Sequence, residues 1–407
     1  MTHPAPALSA DLCLKCNICT AACPVAAVTD LFPGPKAVGP QAQRFRHPLL
    51  PSPDVSVGWC SGCGTCTRVC PHGVAIAEIN IQAKARLAQE HRPPLRDHVI
   101  SRPEWLGIAG SLTAPITNPI LRLGAARWAL EKVLRIHRHA PMPPFARRTL
   151  RARMRQRCVS SPPADVANVV AYYHGCSTNY YEPELGEKAI AVLERLGCSV
   201  ILPPQRCCGL PLQSNGFFPA ARRQASTNIR LLLPYAQAGI PIVGTSTSCT
   251  LALKHDYRTI LGVEGEAADA VARGTFDIFE FLATRLDAAL DGIDFAPIEA
   301  TALYHPPCQL KSHFMGTPAM RVLRRIPGLK IILSQSECCG IAGTYGLKHE
   351  KFAVAQAVGQ GLFRQTADSG ADLVLCDSET CRWWIEQHAG HTVVHPIELL
   401  ARSMRLA

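Results

Sequence analysis

Four cysteines stand close together in Cys13 to Pro24, CLKCNICTAACP, and the same arrangement returns in Cys60 to Pro71, CSGCGTCTRVCP. In each run the spacings are two, two and three, with a proline after the fourth cysteine. Three thiolates at this spacing can wrap one cuboidal cluster from a tight loop, while the fourth opens a helix and reaches the other cluster. The two runs are therefore expected to exchange a ligand. Cys13, Cys16, Cys19 and Cys70 are assigned to one 4Fe-4S cluster, and Cys60, Cys63, Cys66 and Cys23 to the second. Zinc needs only two C-x2-C pairs per site and gives no reason for the third cysteine or the C-P ending, twice over. Thiols so arranged would hold two one-electron carriers near each other.

The opening residues MTHPAPALSADLC lack the basic start and apolar core of a signal peptide, so a reducing cytosolic setting is expected. There the nineteen cysteines serve metal ligation rather than a disulfide framework. A chain of 407 residues with 47% apolar content can bury two or three cores. No run of consecutive apolar residues approaches the ~18 that a bilayer span needs, since the longer uncharged stretches, such as residues 231–253, are interrupted by Pro, Gly, Ser and Thr.

A second set of cysteines belongs to an internal repeat. AYYHGC ending at Cys176 recurs as LYHPPC ending at Cys308, and STSC, Ser246 to Cys249, recurs as SETC, Ser378 to Cys381, each at an offset of 132. RCCGLP with Cys207 and Cys208 recurs as ECCGIAG with Cys338 and Cys339 at an offset of 131. A shift of one residue over such a span indicates a duplicated domain. An adjacent Cys-Cys pair chelates one tetrahedral ion poorly, because the ring it closes strains the intervening peptide, but it can span two irons of a cluster. The glycine after each pair lets the backbone turn closely. Cys176, Cys207, Cys208 and Cys249 in the first copy, and Cys308, Cys338, Cys339 and Cys381 in the second, are thus candidate ligands of one or two further iron-sulfur centres. A zinc site and buried structural cysteines are the alternatives. His174 and His305 precede the first cysteine of each copy. Each could supply a proton or simply be hydrogen-bonded at a strand end, and neither is assigned a catalytic role.

The elements that must position these residues follow from the same stretches. In the first copy VANVVAYYHG, CSVILP and IPIVGTS read as strands, with GEKAIAVLERLG and RRQASTNIRLLLPYAQAG as helices between them. That alternation predicts a small parallel α/β unit whose cysteines gather at the C-terminal strand ends. Between the two N-terminal runs, the Pro- and Gly-rich LFPGPKAVGPQAQRFRHPLLPSPDVSVG reads as a connecting loop, and residues 74–90 as a helix with a stripe through Ile76, Ile79 and Ala83. The fold class expected is mixed α/β. A helical, bacterial-ferredoxin-like two-cluster domain at residues 1–92 leads through a basic, Pro-rich helical linker at 93–163 to duplicated small parallel α/β domains at 164–295 and 296–407.

The linker carries almost all of the net charge of +11: Leu121 to Arg157 holds eleven Lys or Arg against the single acid Glu131. Its first half reads as an amphipathic helix with Leu123, Ala126, Leu130, Val133 and Leu134 on one face and Trp128 beside them, broken by Pro141, Pro143 and Pro144. Such a segment suits an anionic membrane surface, with Arg147, Arg148, Arg151 and Arg153 as candidate lipid contacts. A linker with solvated charges is the other reading. Nucleic acid is not expected, since no recognised binding motif accompanies the charge.

CLKCNICTAACPV, FPGPKAVGP, YHGCSTNYYEPELG, RCCGLPLQSNGF, CCGIAGTYG and ETCRWWIE together resemble the iron-sulfur subunit family of anaerobic glycerol-3-phosphate dehydrogenase, nearly end to end. The resemblance implies an iron-sulfur protein carrying electrons from partner flavoprotein subunits to membrane quinone, peripheral on the cytoplasmic face of the inner membrane and anchoring its partners there. The duplicated domain also resembles the cysteine-rich CCG domain of heterodisulfide reductases, glycolate oxidase iron-sulfur subunits and lactate-utilisation proteins. In that pattern the domain ends in C-x2-C, whereas both copies here have serine first, Ser246 and Ser378. The five-thiolate noncubane cluster of the reductases is thereby put in question. Cys376, two residues before Ser378, is expected to lie too far along its strand to replace the missing thiol, since residues two apart on a strand are separated by roughly 6.5 to 7 Å.

No G-x-G-x-x-G follows a strand; GIAGTYG has different spacing. The chain is therefore not expected to bind flavin or nicotinamide or to oxidise a hydroxy substrate alone. An electron-transfer subunit is the reading preferred; a disulfide-reducing enzyme of the heterodisulfide reductase kind and the iron-sulfur subunit of a glycolate- or lactate-oxidising complex are the alternatives.

Overall fold

The computed structural model describes residues 6–47 and 49–406. In the N-terminal module each cysteine run winds through a left-handed residue into a single helical turn, Asn17 before Ile18–Ala21 and Gly64 before Thr65–Arg68. Lys15 and Gly62, at matching places, also have positive φ, so the two loops curl alike. Helix Ile76–Glu90 buries Ile76, Ile79 and Ala83 against these turns. Each fully buried isoleucine is worth about 1.5–3 kcal/mol. The intervening loop holds one tight turn, Ala37–Gln41, in which Gly39 leaves no room for a side chain against Asn80.

Four short helices follow, Leu95–Ile100, Pro103–Leu112, Ala114–Arg122 and Gly124–Leu134. Prolines at or beside the starts of the first three set the breaks, and Arg135, left-handed at φ 53°, ends the last.

The duplicated units are two four-stranded parallel sheets. The first has β1 Val169–Tyr173, β2 Ser199–Ile201, β3 Ile242–Gly244 and β4 Thr275–Asp277 in the order β2-β1-β3-β4. The second has β5 Ala300–Tyr304, β6 Leu329–Leu333, β7 Leu373–Leu375 and β8 Val393–Val394 in the order β6-β5-β7-β8. The fourth strand of each sheet is an addition to the sequence reading. Three residues and two are too short to show a period.

Alternate residues of β1 enter different cores. Val170 and Tyr172 face helix Pro183–Arg195, while Val169, Ala171 and Tyr173 face helix Phe218–Gln237. Both faces are covered, as a parallel sheet requires. Ala302 and Tyr304 of β5 share the core of Val170 and Tyr172, so the two units pack on one another through a common interior. Helix Pro396–Ser403 belongs to that interior and packs on helix Pro183–Arg195.

Candidate metal centres

The thiols of the first run gather by threes with one crossed partner. The charged neighbours of Cys19 are Cys13, Cys70 and Cys16, and those of Cys23 are Cys63 and Cys60. Cys66 lies among Cys60, Cys63 and Cys23. Burial and these neighbours push the Cys23 thiol up to about 12 and Cys66 well above the ordinary thiol range. Thiols crowded in this way ionise only when a cation shares the site. Two lysine side chains flank the second set, neither of them singled out from the sequence. Lys84 donates to the Cys60 carbonyl at 3.1 Å, and Lys351 donates to the Gly58 carbonyl at 2.8 Å while lying 3.5 Å from the centre of the Trp59 ring.

In the repeats the cysteines sit at the C-terminal ends of three neighbouring strands. Cys176 follows β1, Cys207 and Cys208 follow β2, and Cys249 lies in the turn Thr247–Leu251 after β3. Cys176 and Cys207 are 3.9 Å apart, and Cys208 and Cys249 share a buried cluster. In the second repeat Cys308 and Cys338 share one buried cluster, and Cys339 and Cys381 another.

It also brings in Cys376, contrary to the sequence expectation. Cys376 is fully buried just beyond β7, in one buried cluster with Cys339 and Cys381. Strand spacing does not apply here, because the chain turns at Ser378 into helix Glu379–Ala389, whose first turn folds Cys381 back beside Cys376.

Both glycines after the Cys-Cys pairs have positive φ, 83° at Gly209 and 99° at Gly340. Gly340 is also packed against helix His349–Asp368, where a Cβ would sit 1.9 Å from the Ala355 carbonyl oxygen. Gly340→Ala should therefore cost about 1–3 kcal/mol through the backbone conformation alone, and more through the clash. A thermal melt of the chain checks this, and an unchanged midpoint would show that the turn tolerates a side chain.

His174 and His305 are buried and held at their strand ends, Nδ1 of His174 2.6 Å from the Gly175 carbonyl and Nδ1 of His305 3.2 Å from Ser334 Oγ. Burial pushes both imidazoles down to about 4, so they are neutral at neutral pH.

The three cysteine modules line one cavity of about 1480 Å³. Cys63 of the N-terminal module shares a buried cluster with Cys308 and Cys338 of the second repeat. Arg68 and Lys311 close that junction on Glu337, at 2.9 and 3.5 Å. Glu379, from the second repeat, crosses to the first, where its Oε1 accepts from Ser177 Oγ at 2.5 Å and Ser246 Oγ at 3.1 Å. The same cavity is lined by Leu106, Leu121, Leu130 and Leu134 of the linker helices and by Phe145, Tyr181 and Cys176.

The linker differs from its sequence reading in two respects. Leu130 and Leu134 turn inward to the cavity, whereas Leu123, Trp128 and Val133 are exposed, so the expected single stripe is divided between two sides. Arg151 donates to the Pro203 carbonyl, Arg153 pairs with Glu184 and Glu187, and Arg157 with Glu194, so these cations are engaged by the first repeat.

Soft thiol donors in compact groups, mutually close and largely shielded from water, fit iron-sulfur clusters. Comparison with known proteins agrees. Residues 9–74 match the 4Fe-4S dicluster domain family, and residues 170–254 and 302–386 each match the cysteine-rich domain family CCG. The C subunit of anaerobic glycerol-3-phosphate dehydrogenase from Escherichia coli (strain K12) is 38% identical over 401 residues, covering 97% of this chain and 99% of that one. The B subunit of fumarate reductase (CoM/CoB) from Methanothermobacter marburgensis is 28% identical over 53% of this chain and 41% of its own length. Lactate utilization protein A of Exiguobacterium sp. is 28% identical over 57% of this chain and 94% of its own. With a dicluster domain, two cysteine-rich repeats and end-to-end similarity of this degree, the chain belongs to the C-subunit family of anaerobic glycerol-3-phosphate dehydrogenase, as an iron-sulfur electron-transfer subunit.

Proposed function

We propose that this chain accepts electrons from a flavoprotein dehydrogenase partner at its N-terminal module and delivers them to a membrane quinone beside the first repeat, the partner oxidising glycerol 3-phosphate. The observation that carries the reading is that thiols of all three modules, among them Cys63, Cys338 and Cys176, line one cavity, with Cys63 of the N-terminal module directly against Cys308 and Cys338 of the second repeat. Cys13, Cys16, Cys19 and Cys70 hold one cluster, Cys60, Cys63, Cys66 and Cys23 the other, and the cysteines of the repeats hold further centres. Each centre, when bound, takes up and releases one electron at a time. The protein's part is to keep the thiolates dry and close. Lys84 and Lys351 stand next to the second group, burial pushing their ammonium groups down to about 8 and about 7.

The linker helices supply the two sides that a quinone pathway needs. Their inner side lines the cavity, and a quinone ring suits the part of it walled by Leu106, Leu130, Leu134 and Tyr181. Their outer side exposes Trp105, Leu112, Ile116, Leu123, Trp128 and Val133. Arg122 and Lys132 stand among these residues, which favours an anionic lipid surface over a neutral one. Among the described residues no helix is long and apolar enough to cross a membrane.

Two measurements test this. Leu134→Trp should fill this part of the cavity and lower reduction of a soluble quinone analogue by roughly tenfold or more, the effect of about 1.4 kcal/mol on a barrier, with the visible absorbance of the clusters unchanged. An unaltered rate would remove this part of the cavity from the pathway. The triple variant Trp105→Gln, Leu112→Gln, Trp128→Gln should fail to float with vesicles rich in anionic phospholipid. Salt should release the wild type only in part, because screening acts on the charges and not on the apolar contacts. Flotation equal to wild type would discard this face as the membrane contact.

A further inference from the structure

Ser246 and Ser378 occupy equivalent places, yet the surroundings of the two differ in a way the repeat alignment does not reveal. Next to Ser378 lies Cys376, which packs in one buried cluster with Cys339 and Cys381. Next to Ser246 the matching residue is Gly244. No side chain can be accommodated there, since a Cβ would meet Thr250 Cγ2 at 2.9 Å and the Tyr173 carbonyl oxygen at 3.0 Å. The first repeat therefore has no place for a fifth thiol in that position.

What it receives instead comes from the other repeat. Glu379, only 9% exposed, points its carboxylate at Ser246 and Ser177 and is a charged neighbour of Cys176. Its helix is fixed in this orientation by further contacts. One turn on, the buried Arg382 pairs with Glu182 of the first repeat, and Trp383 Nε1 donates to the same carboxylate at 2.7 Å. The exchange runs one way. The residue matching Glu379 in the first repeat is Thr247, whose carbonyl is taken by His313 Nε2 at 3.0 Å.

We propose that the two repeats carry chemically different iron-sulfur centres. The second repeat binds through five thiolates, with Cys376 as the fifth. The first binds through four, its open side closed by the Glu379 carboxylate delivered from the second. This deepens the reading that the repeats hold iron-sulfur centres and rests on it. A carboxylate is a harder donor than a thiolate, so the two centres differ in potential and in magnetic signature. Because Glu379 and Cys381 lie in the same helical turn, the ligand sets of the two centres are mechanically joined.

The test uses the full chain, reconstituted anaerobically with iron and sulfide, and reads iron content, electron paramagnetic resonance and redox titration. Cys249→Ala and Cys381→Ala identify the signals of the first and second repeat. Cys376→Ala should then alter the signal that Cys381→Ala removes and leave the other intact. Glu379→Gln keeps an oxygen for Ser177 and Ser246 but loses the negative charge. It should shift the g-values of the first-repeat signal and raise its midpoint potential, since a less anionic ligand set favours the electron. A purely structural Glu379 predicts a Gln variant indistinguishable from wild type, and that result overturns the proposal for the first repeat. A Cys376→Ala spectrum identical to wild type overturns it for the second. Retention of the N-terminal module signals serves as the folding control. If the alanine variant fails it, Cys376→Ser decides in the same way. Should the wild type hold no iron beyond that of the N-terminal module, with Cys249→Ala and Cys381→Ala both silent, the reading of filled repeats falls and this proposal with it.

Discussion

Chain purified without oxygen is expected to hold about eight irons in residues 9–74 alone, four in each cluster of the dicluster domain, and more when the repeats are filled. Zinc in their place after anaerobic reconstitution would overturn the assignment. Within that module, Cys23→Ser should perturb the cluster of Cys60, Cys63 and Cys66, although Cys23 belongs by sequence to the other run. Its charged neighbours Cys63 and Cys60 are the reason. Should the resonance change match that of Cys13→Ser instead, the crossed ligand map is wrong. Removing the iron with a chelator should also loosen the module, because its buried, mutually repelling thiols are stabilised by the cation they bind. Faster amide exchange in helix Ile76–Glu90 would report this.

Cys338→Ala is expected to interrupt electron passage where the second repeat meets the N-terminal module. Cys338 and Cys308 are the residues through which the second repeat meets Cys63. With Cys338 gone, electrons supplied to the N-terminal module should accumulate there. Reduction of a quinone analogue should fall by roughly tenfold or more, equivalent to at least about 1.4 kcal/mol of barrier. Stopped-flow absorbance distinguishes the two steps: rapid bleaching of the N-terminal clusters should persist while their reoxidation by quinone slows. Reoxidation at the wild-type rate would mean that electrons leave the N-terminal module by another surface. Glu337→Gln offers a milder version, since it releases the ion pairs with Arg68 and Lys311 without removing a thiol.

The repeat architecture was legible because each of its signals is local or periodic. Strand β1 is a run of five buried residues, VVAYY, and helix Phe218–Gln237 keeps its apolar period over 20 residues. The short edge strands were not legible. Thr275–Asp277 lies between helices Glu266–Gly274 and Ile278–Arg285 and is defined only by its pairing with β3. The basic segment was misleading for a related reason. Charge can be counted along a chain, but whether Arg153 meets lipid or Glu184 depends on which surface folds against it.

The sequence by itself determined the donor chemistry, the grouping of the N-terminal thiols by spacing, and the duplication with its cysteines at strand ends. These are properties of neighbouring residues or of a repeated interval, and a tight loop or a parallel α/β unit converts them directly into position. Only the tertiary structure decided that the second repeat meets Cys63, that Cys376 packs with Cys381, that Glu379 enters the first repeat, and that the linker helices divide their apolar residues between cavity and surface. Those contacts arise from a core shared by the two sheets, with Tyr172 and Tyr304 inside it. That core brings residues 133 positions apart, such as Ser246 and Glu379, within hydrogen-bonding distance. No periodicity encodes such a meeting, because it is set by how two folded surfaces fit.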